Sequence, residues 1–180
     1  MKDNGNLVWV DLEMTGLNPF IDKVLEVATI ITNSQLDILA EGPIIAIHQP
    51  KEVLAAMDSW NIRQHRQSGL VERSSKSNYT CRQVELETLD FIRQWAAPRV
   101  SPMCGNSVCH DRRFLARFMP KLEHYFHYRN IDVSTLKELA KRWAPHLAYF
   151  SKESRHRASD DIKESIAELK YYGDCFIKKK

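Results

Sequence analysis

The chain has 180 residues, a length that suits one domain built round a single substantial core. Hydrophobic residues make up 43% and charged residues 27%, a soluble globular balance with no apolar run near the roughly 20 residues of a membrane span. A net charge of +3 is too weak to announce a long nucleic-acid partner.

The opening Met1-Lys2-Asp3-Asn4-Gly5-Asn6 carries no apolar signal region, so a cytoplasmic location is expected. Leu7-Val8-Trp9-Val10-Asp11-Leu12-Glu13 then reads as a buried strand with two acids at its end. Spaced i and i+2, Asp11 and Glu13 share one face of an extended chain, about 6.6 Å apart along it. They could mark a strand running out into solvent, or a site for a hard cation that relieves their repulsion. Gly16-Leu17-Asn18-Pro19 is a turn, and Val24 to Thr32 is the clearest strand in the chain. Asn33-Ser34 makes a tight turn into a third strand, Leu36 to Ile47, interrupted around Gly42-Pro43. These three strands should be antiparallel neighbours.

The second half alternates short strands with helices. Thr80-Cys81-Arg82-Gln83 has capping-box spacing, with Val84, Thr88, Phe91, Ile92 and Trp95 following at helical intervals. A short strand within Val100–Gly105 precedes a helix striped by Phe114, Leu115, Phe118 and Met119. Ile131-Asp132-Val133 is another strand, before a helix striped by Leu136, Leu139, Ala140 and Trp143. Ile162, Ile166 and Leu169 mark a last helix. The sum is an α/β domain with a mixed sheet of about five strands, antiparallel first and parallel later. Cysteines 81, 104, 109 and 175 form no C-x-x-C pair and read as reduced thiols, mostly core.

In such a sheet ligands gather at the carboxyl ends of the strands. Asp11 and Glu13 sit at one, Asp111 follows another, and Asp160-Asp161 open the last helix just after His156. His156 and Asp161 are five residues apart, about 140° round an ideal helix, so His156 belongs to the entering loop. Each has a plainer reading. Acids favour any first helical turn, Asp111 could pair with Arg112 or Arg113, and His156 between two arginines could be solvated.

Asp11-x-Glu13, Asn106-x4-Asp111 and His156-x4-Asp161, taken together, resemble the three motifs of the DEDDh family of 3′-to-5′ exonucleases. Cys104-Gly105-Asn106-Ser107, Asp111-Arg112-Arg113-Phe114-Leu115 and Asp132 to Leu139 resemble its oligoribonuclease branch, nearly end to end. The resemblance implies a ribonuclease H-like fold, one exonuclease domain over residues 1–180, and hydrolysis of short RNA, dinucleotides especially, to nucleoside 5′-monophosphates. Two Mg²⁺ or Mn²⁺ ions would be held by Asp11, Glu13, Asp111 and Asp161, with His156 as general base. Ser159 stands where the family usually has leucine and could cap the last helix; His110 is also unusual.

The resemblance further assigns Ser107, Arg129, Ser134 and Thr135 to a cap on the substrate's 5′ phosphate. Thr135-x-x-Glu138 is also a capping box, and a helix N-terminus is itself a phosphate site. Leu17 would wedge between bases and Trp60 would wall them, although a tryptophan is more often core than ligand and Trp60 rests on the resemblance; His65 is a weaker member of that wall. Tyr125 to Arg129 is dense in aromatics, and the family is homodimeric, which would carry Tyr128 and Arg129 to the neighbouring subunit's site. The rival readings are a DEDDh exonuclease acting on DNA or tRNA 3′ ends and a catalytically silent nucleic-acid-binding module.

Overall fold

A computed structural model of the chain describes residues 2–147, 150 and 158–177. The first half is strand-rich: β1 (Leu7–Met14), β2 (Val24–Thr32), β3 (Ile38–Glu41) and β4 (Ile45–Ala46). Three short helices follow, α1 (Lys51–Ala55), α2 (Ser59–Gln67) and α3 (Leu70–Lys76), then α4 (Cys81–Ile92). The second half comprises β5 (Met103–Gly105), α5 (Val108–Phe118), α6 (Pro120–Tyr125), β6 (Asn130–Asp132), α7 (Val133–Trp143) and α8 (Ala158–Cys175). Among the described residues no helix is long and apolar enough to cross a membrane.

The sheet has six strands, ordered β3-β2-β1-β5-β6, with β4 also on β2. β1 and β2 pair antiparallel along their length, while β5 and β6 join parallel. The expected third strand is therefore two. At the break Gly42 N–H donates to Thr29 O, and a Cβ on Gly42 would lie 2.3 Å from Thr29 Oγ1. Pro43 then offers the ladder no N–H.

Alternation along β1 divides the core. Val8, Val10 and Leu12 pack on one face with α4, α5 and α6 residues such as Leu89, Phe114 and Leu122. Trp9 faces the other way, against Val133 and Ala140 of α7 and Ala158, Ile162 and Ile166 of α8. Period-two alternation therefore aims Asp11 and Glu13 at the α8 side.

The Thr80–Gln83 capping box is present on both sides. The one expected at Thr135 is not: α7 starts directly after β6, so Asp132 caps it, accepting from Ser134 N–H at 3.0 Å. Thr135 is thereby the third residue of the helix. Ser159 likewise falls inside α8 rather than capping it. Trp143, expected on a buried stripe, is 70% exposed because α7 ends at it, beyond the last turn that packs through Ala140. Cys104 is buried and Cys81 half-buried, but Cys109 and Cys175 are exposed.

Candidate active site

β1 carries its two acids to the end of the sheet, and the first turn of α8 brings Asp161 to meet them. Carboxylate oxygens of Asp11, Glu13 and Asp161 all lie within 4.8 Å of one another. Antiparallel register sets Glu26 of β2 directly opposite Glu13. Burial first, then Asp161, Glu26 and Asp111, push the Glu13 carboxyl up from its ordinary 4.5 to about 8. Four acids crowded at one edge hold their charge at a cost that a cation would remove. An all-oxygen donor set of this kind fits a hard divalent ion.

Asp111 stands slightly apart. Its Oδ1 accepts the Leu12 N–H of β1 at 3.0 Å, which ties the first turn of α5 to the acid strand. Burial raises its pKa, against the pull of that hydrogen bond. His156 lies outside the described residues.

The remaining candidates divide between surface and interior. Leu17 is 62% exposed, Trp60 54% and Tyr128 74%, and Arg129 is exposed beside Tyr128, its guanidinium 5.4 Å from the ring centre. His65 instead is buried: on α2, its Nδ1 lies 3.8 Å from Glu13 Oε2 and its Nε2 is 2.8 Å from Met14 O. The carbonyl can only accept, so Nε2 carries the proton and Nδ1 turns towards Glu13. That places His65 beneath the acids rather than in a stacking wall.

Ser107 and Ser134 do come together. Ser107 N–H donates to Asp132 Oδ1 at 2.9 Å and to Ser134 Oγ at 3.1 Å. These bonds hold Ser107 at a φ of 53°, the left-handed region that non-glycine residues seldom adopt. Thr135 is exposed nearby on α7.

Sequence matching places this geometry in a family. The exonuclease family matches residues 8–169. An oligoribonuclease of Pseudomonas paraeruginosa is 61% identical over 179 residues, 99% of each chain. Those of Acinetobacter baylyi and Yersinia pseudotuberculosis are 58% and 57% identical, covering 95% and 98% of this chain and 94% and 98% of theirs. The chain belongs to the oligoribonuclease family of exonucleases.

Its fold is that of the ribonuclease H-like exonucleases. Exonuclease I of Methylocaldum szegediense superposes with a TM-score of 0.71 at 14% identity, over 95% of this chain and 41% of that one. E. coli exonuclease I with a dT13 oligonucleotide gives 0.72 at 13%, over 94% and 41%. The chain thus spans about two fifths of these neighbours.

Two groups at this oligoribonuclease-family site, Glu26 and Arg73, stand outside the sequence motifs. Glu26 is 2% exposed and is held by Arg73 of α3, Nη2 to Oε2 at 2.7 Å. A lone acid inside the apolar run Val24 to Thr32 was its signal. Asn106 donates from Nδ2 to Ser165 Oγ at 2.7 Å and Glu168 Oε2 at 3.1 Å, fastening the end of β5 to α8.

Proposed function

We propose that this oligoribonuclease-family chain is a 3′-to-5′ exoribonuclease that cuts short oligoribonucleotides, dinucleotides included, to nucleoside 5′-monophosphates. The observation that carries the reading is the cluster of Asp11, Glu13 and Asp161, with their oxygens within 4.8 Å of one another. Together with Asp111 they would hold two Mg²⁺ or Mn²⁺ ions. Bound there, such ions would stabilise charge on the attacking and leaving oxygens of phosphodiester hydrolysis.

Water attacks the phosphorus of the last phosphodiester, the bond to the preceding 3′ oxygen breaks, and that oxygen takes a proton. His156 is the group suited to take the proton from the water, since an unperturbed imidazole titrates near 6.5. Leu17 and Trp60 offer exposed apolar surface to bases, where stacking on an aromatic is worth about 1–3 kcal/mol per base. Ser134 and Thr135 at the N-terminus of α7, Ser107 just before α5, and Arg129 would bind the terminal 5′ phosphate and close the groove. Exposed Tyr128 and Arg129 support a homodimer in which they reach the partner's groove. Free thiols at the described cysteines fit work in the cytoplasm.

End-labelled RNA of two to seven nucleotides, and matched DNA, incubated with Mg²⁺, Mn²⁺ or chelator, tests this reading. Metal-dependent release of 5′-monophosphates from short RNA is the expected result. Comparable cutting of long DNA strands or of tRNA ends would favour the broader exonuclease reading, and no cleavage with tight binding would favour a silent module.

A further inference from the structure

Arg112 follows Asp111 on α5, and successive helical residues point about 100° apart. While the Asp111 carboxylate faces β1, the Arg112 guanidinium reaches the chain between α6 and β6. Its Nη2 donates to His127 O at 2.9 Å. Its Nη1 donates to Asn130 Oδ1 at 2.7 Å and to the carbonyls of Tyr128 and Arg129 at 3.3 and 3.5 Å. Nε anchors the group to Glu123 Oε1 of α6 at 2.9 Å, and the side chain is 17% exposed.

Residues 127–129 belong to no helix or strand, so their carbonyls depend on side chains or water for hydrogen bonds. A planar fork of five donors can serve three consecutive carbonyls and a neighbouring amide at once. A lysine ammonium, with its donors at one point, cannot span them. The segment is also held by His127 N–H, which donates to Ser101 O at 2.8 Å, by Arg129 N–H, which donates to His127 Nδ1 at 3.1 Å, and by the His127–Tyr128 ring stack at 4.3 Å; none of these uses the carbonyls of residues 127–129. Arg129 lies over the outer part of that stack, so the conformation of the backbone aims both exposed side chains.

We propose that Arg112 is a positioning residue that fixes segment 127–130 so that Tyr128 and Arg129 meet the substrate's 5′ end, and that it thereby sets the enzyme's discrimination by length. This rests on the reading of Arg129 as part of the phosphate cap. Loss of the clamp leaves the acids in place and the cap side chains chemically intact but no longer held in position, so a terminal phosphate gains less over an internal diester.

The test compares full-length wild type, Arg112→Lys and Arg129→Ala. Two readouts are taken: relative affinity for a 5′-phosphorylated dinucleotide against a heptamer, and hydrolysis of a nitrophenyl ester of a nucleoside 5′-monophosphate. The ester needs the acids but is too short to reach the cap. Arg112→Lys should lose about tenfold in dinucleotide preference, in the same direction as Arg129→Ala, and keep ester hydrolysis within about twofold of wild type. Retained preference in Arg112→Lys alongside loss in Arg129→Ala would overturn the role of Arg112 while leaving the cap standing. A parallel fall in ester hydrolysis would make Arg112 a support of Asp111 instead, and would also overturn it. Wild-type preference in Arg129→Ala would remove the cap and the clamp together. Should Arg112→Lys not fold, Asn130→Ala removes the shortest acceptor and is read in the same way.

Discussion

Glu13 sits where its charge is least favoured. Burial and its acidic neighbours raise its pKa from 4.5 to about 8, so without a cation the folded chain carries an extra proton there across that window. The unfolded chain does not. Stability of the chelator-treated protein should therefore fall as pH rises from about 4.5 to 8, with Glu13 contributing up to about 1.4 kcal/mol per pH unit. Glu13→Gln should flatten this part of the curve. Urea unfolding at pH 5, 6, 7 and 8 measures it, and identical wild-type and Glu13→Gln slopes would contradict the assignment. At the same scale, Asp11 and Asp160 make a contrasting pair. Asp11 shares the oxygen cluster with Glu13 and Asp161, whereas Asp160 is outside it. Asp11→Asn should lose essentially all turnover with its fold intact, and Asp160→Asn should stay close to wild type. Steady-state rates with circular dichroism as the folding control decide between them.

At the scale of elements, the antiparallel register of β1 and β2 brings Glu13 and Glu26 face to face, and α3 supplies Arg73 to balance them. Arg73→Ala leaves the Glu26 carboxylate buried without its cation. The expected loss is about 1–3 kcal/mol, less than for a fully buried pair because the arginine side chain is 44% exposed. Adding Glu26→Gln should restore much of it; an additive double-mutant cycle would show that the pair does not support this edge. Which parts of this architecture were legible follows from the same physics. β2, buried throughout, and α4, with its Thr80 cap, carry their signals within their own sequence. Helices α1, α2 and α3, together spanning Lys51–Lys76, are too short to show periodicity and form against Leu25 of β2 through Leu54, Met57 and Leu70. For α7 two acceptable caps, Asp132 and Thr135, lie three residues apart in the sequence, and the abutting strand selects the earlier one. In the site, Asp11, Glu13 and Asp161 were readable from motif spacing, but the approach of Glu26, His65 and Arg73 depends on cross-strand register and helix packing.

For the whole molecule, the segment from Tyr125 to Arg129 joins the core to the surface. Phe126 is 4% exposed and Tyr128 is 74% exposed, with the Arg129 guanidinium against the Tyr128 ring. An aromatic–cation pair displayed this far out leaves most of the Tyr128 side chain open, and a second subunit would cover it. If Arg129 then serves the partner's groove, a dimer of Asp111→Asn with Arg129→Ala holds one site with both defects and one with neither. The intact site combines the acids of the Arg129→Ala chain with Arg129 from the Asp111→Asn chain. Mixed dimers should therefore hydrolyse a 5′-phosphorylated dinucleotide faster than the sum of the two parents, with subunit exchange followed by native mass spectrometry. If exchange is complete and the mixture is no faster than that sum, Arg129 completes the groove of its own subunit. In that case the clamp from Arg112 and the acid of Asp111, adjacent on α5, would serve opposite ends of one substrate.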